Sequence, residues 1–328
     1  MINWGIIGLG RIAHTFAKDL AILDNARLHA VASRSLDNAR AFADEYRVQH
    51  YFGRYEDLLN LPDLDAVYIA TPHASHAELS ILCLENGIPV LCEKPLAINL
   101  HEAQAMVAWS QRTQTFLMEA MWTRFLPHMQ KILDLIDANQ LGRVHTVKAT
   151  LGFDGQQRPN QRLFDPELGG GALLDIGVYP VFLAHLLLGR PDAIEAESRI
   201  NANGIDEATR ATFLYENGRK AEIYSSITEA TQNEAVIYGE RGHIHIGGKW
   251  NAPSAFTLYL EGQAPQEFTF NLPGHGFYLE IIEATECIRQ ERIENPLLTH
   301  GFSLDIMETM DRIRMQTGLR YPKDVLLQ

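Results

Sequence analysis

Lys94 stands at the mouth of an apolar run, in IPVLCEKPLA, where a buried strand normally gives way to turn residues. A lysine there is either a solvated strand end or a cation aimed into a cleft. Further along, Asp175 and Tyr179 lie four residues apart in GGGALLDIGVY. On a helix both share one face and can point at one ligand. Ammonium, carboxylate and phenol are groups that hold and move protons. The third cluster, Gly8-Leu9-Gly10-Arg11-Ile12-Ala13, is a G-x-G-x-x-A run. Its first glycine permits a tight turn, its second lets backbone approach a pyrophosphate, and its small third residue lets helix and strand pack closely.

Such a glycine run means little without the elements around it. Here apolar runs at 3–8, 27–33, 65–70, 88–93 and 115–120 alternate with segments that are apolar at helical spacing. That alternation predicts a parallel, doubly wound sheet, with the glycine run at its first strand-to-helix turn. After residue 121 the pattern changes. A helix at 127–138 and a strand at 143–153 lead to a loop rich in Gly, Pro, Asn and Gln, then to a Gly-opened helix containing Asp175 and Tyr179. Alternating strands with Gly turns fill 193–270, the mark of a mainly antiparallel open sheet. Helices near 276–291 and 302–317 close the chain. The expected fold is α/β: a nucleotide-binding domain of the Rossmann type at 1–120, and an α+β domain for substrate and self-association at 121–328.

Composition narrows the function classes. With 28 basic against 41 acidic side chains the net charge is −13, which argues against a broad grip on nucleic-acid phosphates. No apolar stretch is expected to reach the ~18 to 20 residues of a membrane span. The start, MINWGIIGLG, has no charged leader, and the expected compartment is the cytoplasm. Cys83, Cys92 and Cys287 have neither metal-ligand nor disulfide spacing and read as small buried side chains. His243 and His245 alternate on one strand face without a third ligand nearby, so no metal is expected. No G-x-S-x-G hydrolase elbow occurs.

The second strand selects the cofactor. NAD-binding domains commonly carry an acid about 20 residues past the glycine run, for the ribose 2′-hydroxyl. This chain has Ser33-Arg34-Ser35 there, and an arginine with two hydroxyls suits a 2′-phosphate. NADP is therefore the expected cofactor, with NAD as the alternative, and Arg11 can add to the same pocket. Ligands of open α/β sheets sit beyond the carboxyl ends of the strands. Thr71, Pro72, His73 and His76 fall there, as do Glu93, Lys94 and Trp122. Pro95 fixes the turn after Lys94 and is a candidate for a cis bond. Cofactor contacts are expected from Gly8, Gly10, Arg11, Ile12, Ala13, Ser33, Arg34, Ser35, Thr71, Pro72, His73, His76, Glu93 and Lys94, although His76 at a helix start serves equally as a structural cap.

With Glu93-Lys94-Pro95 and GGGALLDIGVY in place, the chain resembles the Gfo/Idh/MocA oxidoreductases, two-domain NAD(P)-dependent sugar and polyol dehydrogenases. Within that family MEAMWTRFLP (118–127), GGGALLDIGVYP and GFYLEIIEATECIRQERIENP look most like the dimeric dihydrodiol dehydrogenase branch, which includes NADP-dependent D-xylose dehydrogenases. The resemblance implies catalytic Lys94, Tyr179 and Asp175. Oxidising a secondary alcohol requires loss of a hydride and of a proton. A free tyrosine titrates near ~10, and a neighbouring ammonium lowers it. Tyr179 is the expected acid/base and Lys94 its assistant; the reverse assignment is the alternative. Asp175 either accepts a substrate hydroxyl or orients Lys94. Trp122, Arg124, Phe153, Asp175 and Tyr179 are the expected substrate contacts. Trp122, Arg124 and Phe125 read equally as a packing cluster, and Phe153, Arg158 and Arg162 are open in the same way. Trp250 with Phe277 is a candidate aromatic pocket. The expected substrate is a sugar, cyclic polyol or trans-dihydrodiol. Competing readings are a keto-sugar or dicarbonyl reductase, a non-catalytic dinucleotide and sugar sensor, and an enzyme that never releases its cofactor. The expected partners are the small-molecule substrate and a second copy through the C-terminal sheet, with neither nucleic acid nor membrane.

Overall fold

Strand β1 (Ile2–Ile7) ends in the wholly buried Ile6 and Ile7, and the chain turns at Gly8 into helix α1 (Arg11–Leu20). A computed structural model of the protein describes residues 1–156, 161–322 and 324. The alternation continues through β2 (Ala26–Ala32), α2 (Leu36–Tyr46), β3 (His50–Phe52), α3 (Tyr55–Leu59), β4 (Ala66–Ile69), α4 (His76–Glu85), β5 (Val90–Glu93), α5 (Leu100–Thr113) and β6 (Leu117–Ala120). All pairings are parallel, in the order β3-β2-β1-β4-β5-β6. The order reverses between β1 and β4, the switch point where such sheets take ligands. Every residue of β4, β5 and β6 is buried, as a parallel sheet covered on both faces requires. The five expected strands each overlap an observed one. β3 and α3 escaped because an edge strand of three residues and a helix of five are too short to show a period.

The second sheet is built after α6 (Pro127–Asp137). Its strands are β7 (Val144–Gly152), β8 (Ala193–Ile200), β9 (Asp206–Leu214), β10 (Lys220–Ser226), β11 (Ala235–Gly239), β12 (Gly242–Ile246), β13 (Phe256–Leu260) and β14 (Gln266–Phe268). They lie in the order β14-β13-β12-β11-β7-β10-β9-β8, antiparallel except for β7 with β10. Helix α7 (Val178–Leu188) precedes β8 in the chain and packs against β7 and β10. The stretch Pro166–Leu188 is in fact long and apolar enough, at mean hydropathy 1.8, to match a membrane span. Its apolar surface is spent on the core instead, since 83% of the window is buried inside the protein. The three cysteines are buried and unpaired, as expected.

The chain packs as two units. Of the described residues, one unit holds Met1–Ala97, His101–Trp122 and Leu272–Leu304; the other holds those of Ile98–Leu100, Thr123–Asn271 and from 305 onward. A single cut near residue 120 therefore does not describe the packing. Helix α8 (Phe277–Arg289) and the first residues of α9 (His300–Thr317) belong with the parallel sheet. One link that holds α8 there is Asp19, buried near the end of α1. Its carboxylate accepts from the backbone N–H of His275 (2.9 Å), Phe277 (2.8 Å) and Tyr278 (3.3 Å), and from the His275 ring (3.0 Å). A negative side chain from a distant helix thus caps the positive end of α8. Asp19→Ala should cost at least about 2 kcal/mol, the scale of a lost charge-assisted cap. Denaturant titration will show the loss, and hydrogen exchange should localise it to the amides of α8. Asp19→Asn, which keeps an acceptor, should lose less.

Candidate active site

Gly8 takes φ +91°, and a Cβ there would lie 2.7 to 2.8 Å from Thr71 and the Ala70–Thr71 backbone. Only glycine fits this close crossing of the first and fourth strand ends. Gly10 is different. It caps α1 without a side-chain bond, and a Cβ there would meet nothing within 4 Å. Packing within the chain does not demand a glycine there, and the open helix N-terminus leaves room for an anion. Ala13 is wholly buried, Ile12 half-buried and Arg11 exposed. After β2, the Ser33 hydroxyl accepts from the Ser35 N–H and the Ser35 hydroxyl from the Asn38 N–H, each at 3.3 Å, so both serines shape the start of α2. Arg34 is exposed, with its guanidinium beside the Tyr55 hydroxyl, where it offsets part of the upward push that burial gives that phenol. The turn, the open helix end and the acid-free β2 end fit a dinucleotide with its pyrophosphate at Gly10.

Lys94 is half-buried just past β5, and the Lys94–Pro95 bond is cis as expected. Buried carboxyls lie on both faces of the sheet beside it. Glu93 accepts from the Tyr68 hydroxyl, and Tyr68 stacks flat on Phe16 of α1 (3.8 Å, 7°). The Lys94 N–H donates to Glu93 Oε2 (3.3 Å). On the other face Glu119 Oε1 accepts from the Leu96 N–H (3.1 Å) and Oε2 from the Ser303 hydroxyl (2.7 Å). Burial pushes the Glu119 carboxyl up to about 7, although these bonds and Lys94 pull it down. Thr71 and Pro72 are half-buried and His73 is buried, edge-on to His76 (5.6 Å). His76 is wholly buried, with Nδ1 on the Pro95 carbonyl (2.9 Å) and Nε2 on the Thr71 carbonyl (3.0 Å). The expected cofactor contact there gives way to the structural reading, because both ring nitrogens are spent on backbone. Trp122 packs on Phe277 (4.6 Å, 33°). Trp250 is wholly buried and donates to the Thr150 carbonyl (3.1 Å), so it is core and not the wall of an aromatic pocket.

In the second unit the segment before α7 is not plain α-helix. Leu173–Gly177 forms a π-helical turn, so Asp175 and Tyr179 stand on either side of a change in helical phase. A sequence period of 3.6 could not foresee this. The turn is imposed by its neighbours: Asp206 Oδ2 accepts from the Leu173 N–H (2.8 Å), and a Cβ on Gly177 would lie 2.9 Å from the Ser225 hydroxyl. A Cβ on Gly170 would strike the carbonyls of Leu163 and Arg162 at 2.6 and 2.7 Å. That close approach seats the turn Gln161–Phe164 on the glycines, and Arg162 Nη2 donates to Asp175 Oδ1 at 2.6 Å. Arg162 therefore resolves as the holder of Asp175, while Arg158 lies outside the described residues. Tyr179, Asp175 and Arg124 are buried and Phe153 half-buried. His245 bonds Glu234 (2.9 Å) and His243 stacks on Tyr259 (4.6 Å, 12°), so each is occupied on the sheet face.

Residues 2–121 match the family model "Oxidoreductase family, NAD-binding Rossmann fold", and 129–245 match "GFO/IDH/MocA C-terminal domain". The chain belongs to the Gfo/Idh/MocA oxidoreductases. Its relatives include trans-1,2-dihydrobenzene-1,2-diol dehydrogenases of Xenopus tropicalis (32% identical), Danio rerio (34%) and Homo sapiens (30%), each over 98% of this chain and 99% of the relative. Among solved structures, a 3-ketoreductase from Actinomadura kijaniata in complex with NADP and TDP-benzene is similar (TM-score 0.86, 26% identical, 96% of this chain and 98% of that one). An aldose-aldose oxidoreductase from Caulobacter crescentus shares the fold (TM-score 0.88, 24% identical, 97% of each chain). The chain is thus an oxidoreductase with an NAD(P)-binding first unit.

Asp206, wholly buried at the start of β9 and missed in the sequence, supports the π-turn of this Gfo/Idh/MocA protein. Burial pushes its carboxyl from 3.8 up to about 7, against the Thr209 hydroxyl bond and the Leu173 N–H. Between those values the folded chain holds a proton that the unfolded chain releases, so stability falls as pH rises from near 4 to near 7 and then levels off. Unfolding measured at pH 5 and pH 8 should show a smaller loss for Asp206→Asn than for the natural protein. Glu119 contributes in the same direction, so the slope should flatten without vanishing.

Proposed function

We propose that this oxidoreductase transfers a hydride between NADP and a secondary alcohol, or its carbonyl, on a trans-dihydrodiol, sugar or cyclic polyol. The observation that carries the reading is Lys94: a half-buried cation at the carboxyl end of a parallel strand, beside buried acids, in a unit whose glycine turn leaves space for a dinucleotide. A bound nicotinamide supplies the hydride acceptor or donor. Tyr179 takes the hydroxyl proton in oxidation and returns it in reduction. Lys94 orients the reacting oxygen; Glu93 and Glu119 beside it suit a group that acts through its charge. Asp175, fixed by Arg162, accepts a second substrate hydroxyl. The names of the full-length relatives support a dihydrodiol substrate, and the Actinomadura ketoreductase supports a sugar carbonyl worked in the reverse direction. Its bound NADP, with Arg34 and the two serines here, supports NADP over NAD. The polar sheet face bearing Lys148, Arg210, Glu222 and Tyr224 is read as the contact with a second copy, and the setting as cytoplasmic.

Turnover with trans-dihydrodiols, aldoses and polyols, each with NADP and NAD, tests the substrate and cofactor together; a clear preference for NAD would remove the role given to Arg34. Arg34→Ala should raise KM for NADP by about tenfold, a lost charge-assisted contact, and leave NAD unchanged. Tyr179→Phe should lower turnover by about 10²- to 10⁴-fold while NADPH still binds. Near-full activity in that variant would overturn the acid/base assignment.

A further inference from the structure

Besides Asp19, three acids, Glu93, Glu119 and Glu280, are buried in the parallel-sheet unit, and their positions differ in a way that the proposed reaction does not explain. Glu93 and Glu119 flank the end of β5 from opposite faces. The register pairs Cys92 with Glu119 and Glu93 with Ala120, and parallel neighbours present their side chains on the same face. Glu93 thus shares its face with Tyr68, whereas Glu119 points to the side where Leu96 and Ser303 meet it. Glu119 does not touch the residue before the lysine but the residue after the proline. Its two oxygens clamp the turn that carries Lys94 to the first turn of α9.

We propose that Glu119 is the positioning residue for Lys94, holding the turn that carries it and coupling its own charge to the lysine ammonium. The inference rests on the reading of Lys94 as part of the reaction. An ionised Glu119 accepts from Leu96 and Ser303 through charge-assisted bonds, which are shorter and stronger than neutral ones. It also places a negative charge near the ammonium. On protonation one oxygen becomes a donor, both bonds weaken and the attraction disappears. Burial sets this change near neutral pH, at about 7.

The groups facing Glu119 are few. From β5 and its end come Cys92, Glu93 and Lys94. From α9 comes Ser303, with His300 bonded to the Leu117 carbonyl one turn away (2.9 Å). From α4, His76 holds the Pro95 carbonyl, and from α8, Glu280 acts through Glu93. Burial lowers the His300 imidazole below its usual value, against the Leu117 carbonyl and Glu294, which raise it. Among these described residues Lys94 is the one lysine or arginine.

The test is the 15N shift of the Lys94 ammonium, followed against pH in the full-length protein without cofactor and assigned by its loss in Lys94→Ala. The natural protein should show a step near neutral pH, absent in Glu119→Gln, an isosteric change that keeps an acceptor for Leu96. Ser303→Ala, which removes one of the bonds favouring the charged form, should move the step upward by about one pH unit. Turnover of the natural protein should fall on the acid side of that step, whereas Glu119→Gln should run at a single level near that acid limb. A step that persists in Glu119→Gln, or a lysine signal flat from pH 5 to 9 in the natural protein, would overturn the proposal. Full turnover by Lys94→Ala, with the step still following Glu119, would instead remove Lys94 from the reaction and leave the coupling of the two side chains standing.

Discussion

The carboxylate of Asp19 joins two helices that lie 256 residues apart in sequence. One buried acid near the end of α1 caps the start of α8. With α8 fixed, Phe277 lies against Trp122 and Glu280 stands near Glu93. The chain then continues into α9, where His300 meets the Leu117 carbonyl and Ser303 meets Glu119. The surroundings of Lys94 are thus partly built by a segment that returns from beyond the second sheet. Glu280 shows how dry that interior is. It is wholly buried, neither oxygen finds a hydrogen-bond partner among the described residues, and burial holds its carboxyl well above the usual range. A neutral acid is the form such a place accepts.

The parallel-sheet half of the fold was legible because its signals are local. A glycine turn between a strand and a helix, and four-residue strands buried on both faces, leave a pattern within a short window. The Gly8–Ala13 turn and the Glu93-Lys94-Pro95 corner were read directly. The allegiance of α8 was not, because a cap donated from a distant helix leaves no mark near either end. Asp19 in sequence is only an acid at a helix end.

The second half repeats that lesson at the scale of one turn. GGGALLDIGVY reads as a helix, and most of it is one. Yet the π-turn at Leu173–Gly177 answers to Asp206 and Ser225, which arrive from later strands, and its glycines answer to the turn Gln161–Phe164. In the sequence the triple glycine reads only as the opening of a helix. It is contact surface: Gly171, at φ +109°, lies where a Cβ would reach 2.1 Å from Asp206 Oδ1, and the Gly170 carbonyl takes the buried Tyr321 hydroxyl (2.6 Å). Sequence spacing located Asp175, but only packing shows that Arg162 holds it.

His76 has a mechanical consequence. The His76 ring lies between the carbonyls of Thr71 and Pro95, and donates to both when protonated, so the corners that end β4 and β5 are braced to each other and not only to their own strands. A push on one corner is carried to the other through a ring with no room to turn. The ends of β4 and β5 beside Lys94 therefore keep one spacing, and neither corner shifts without loading the other.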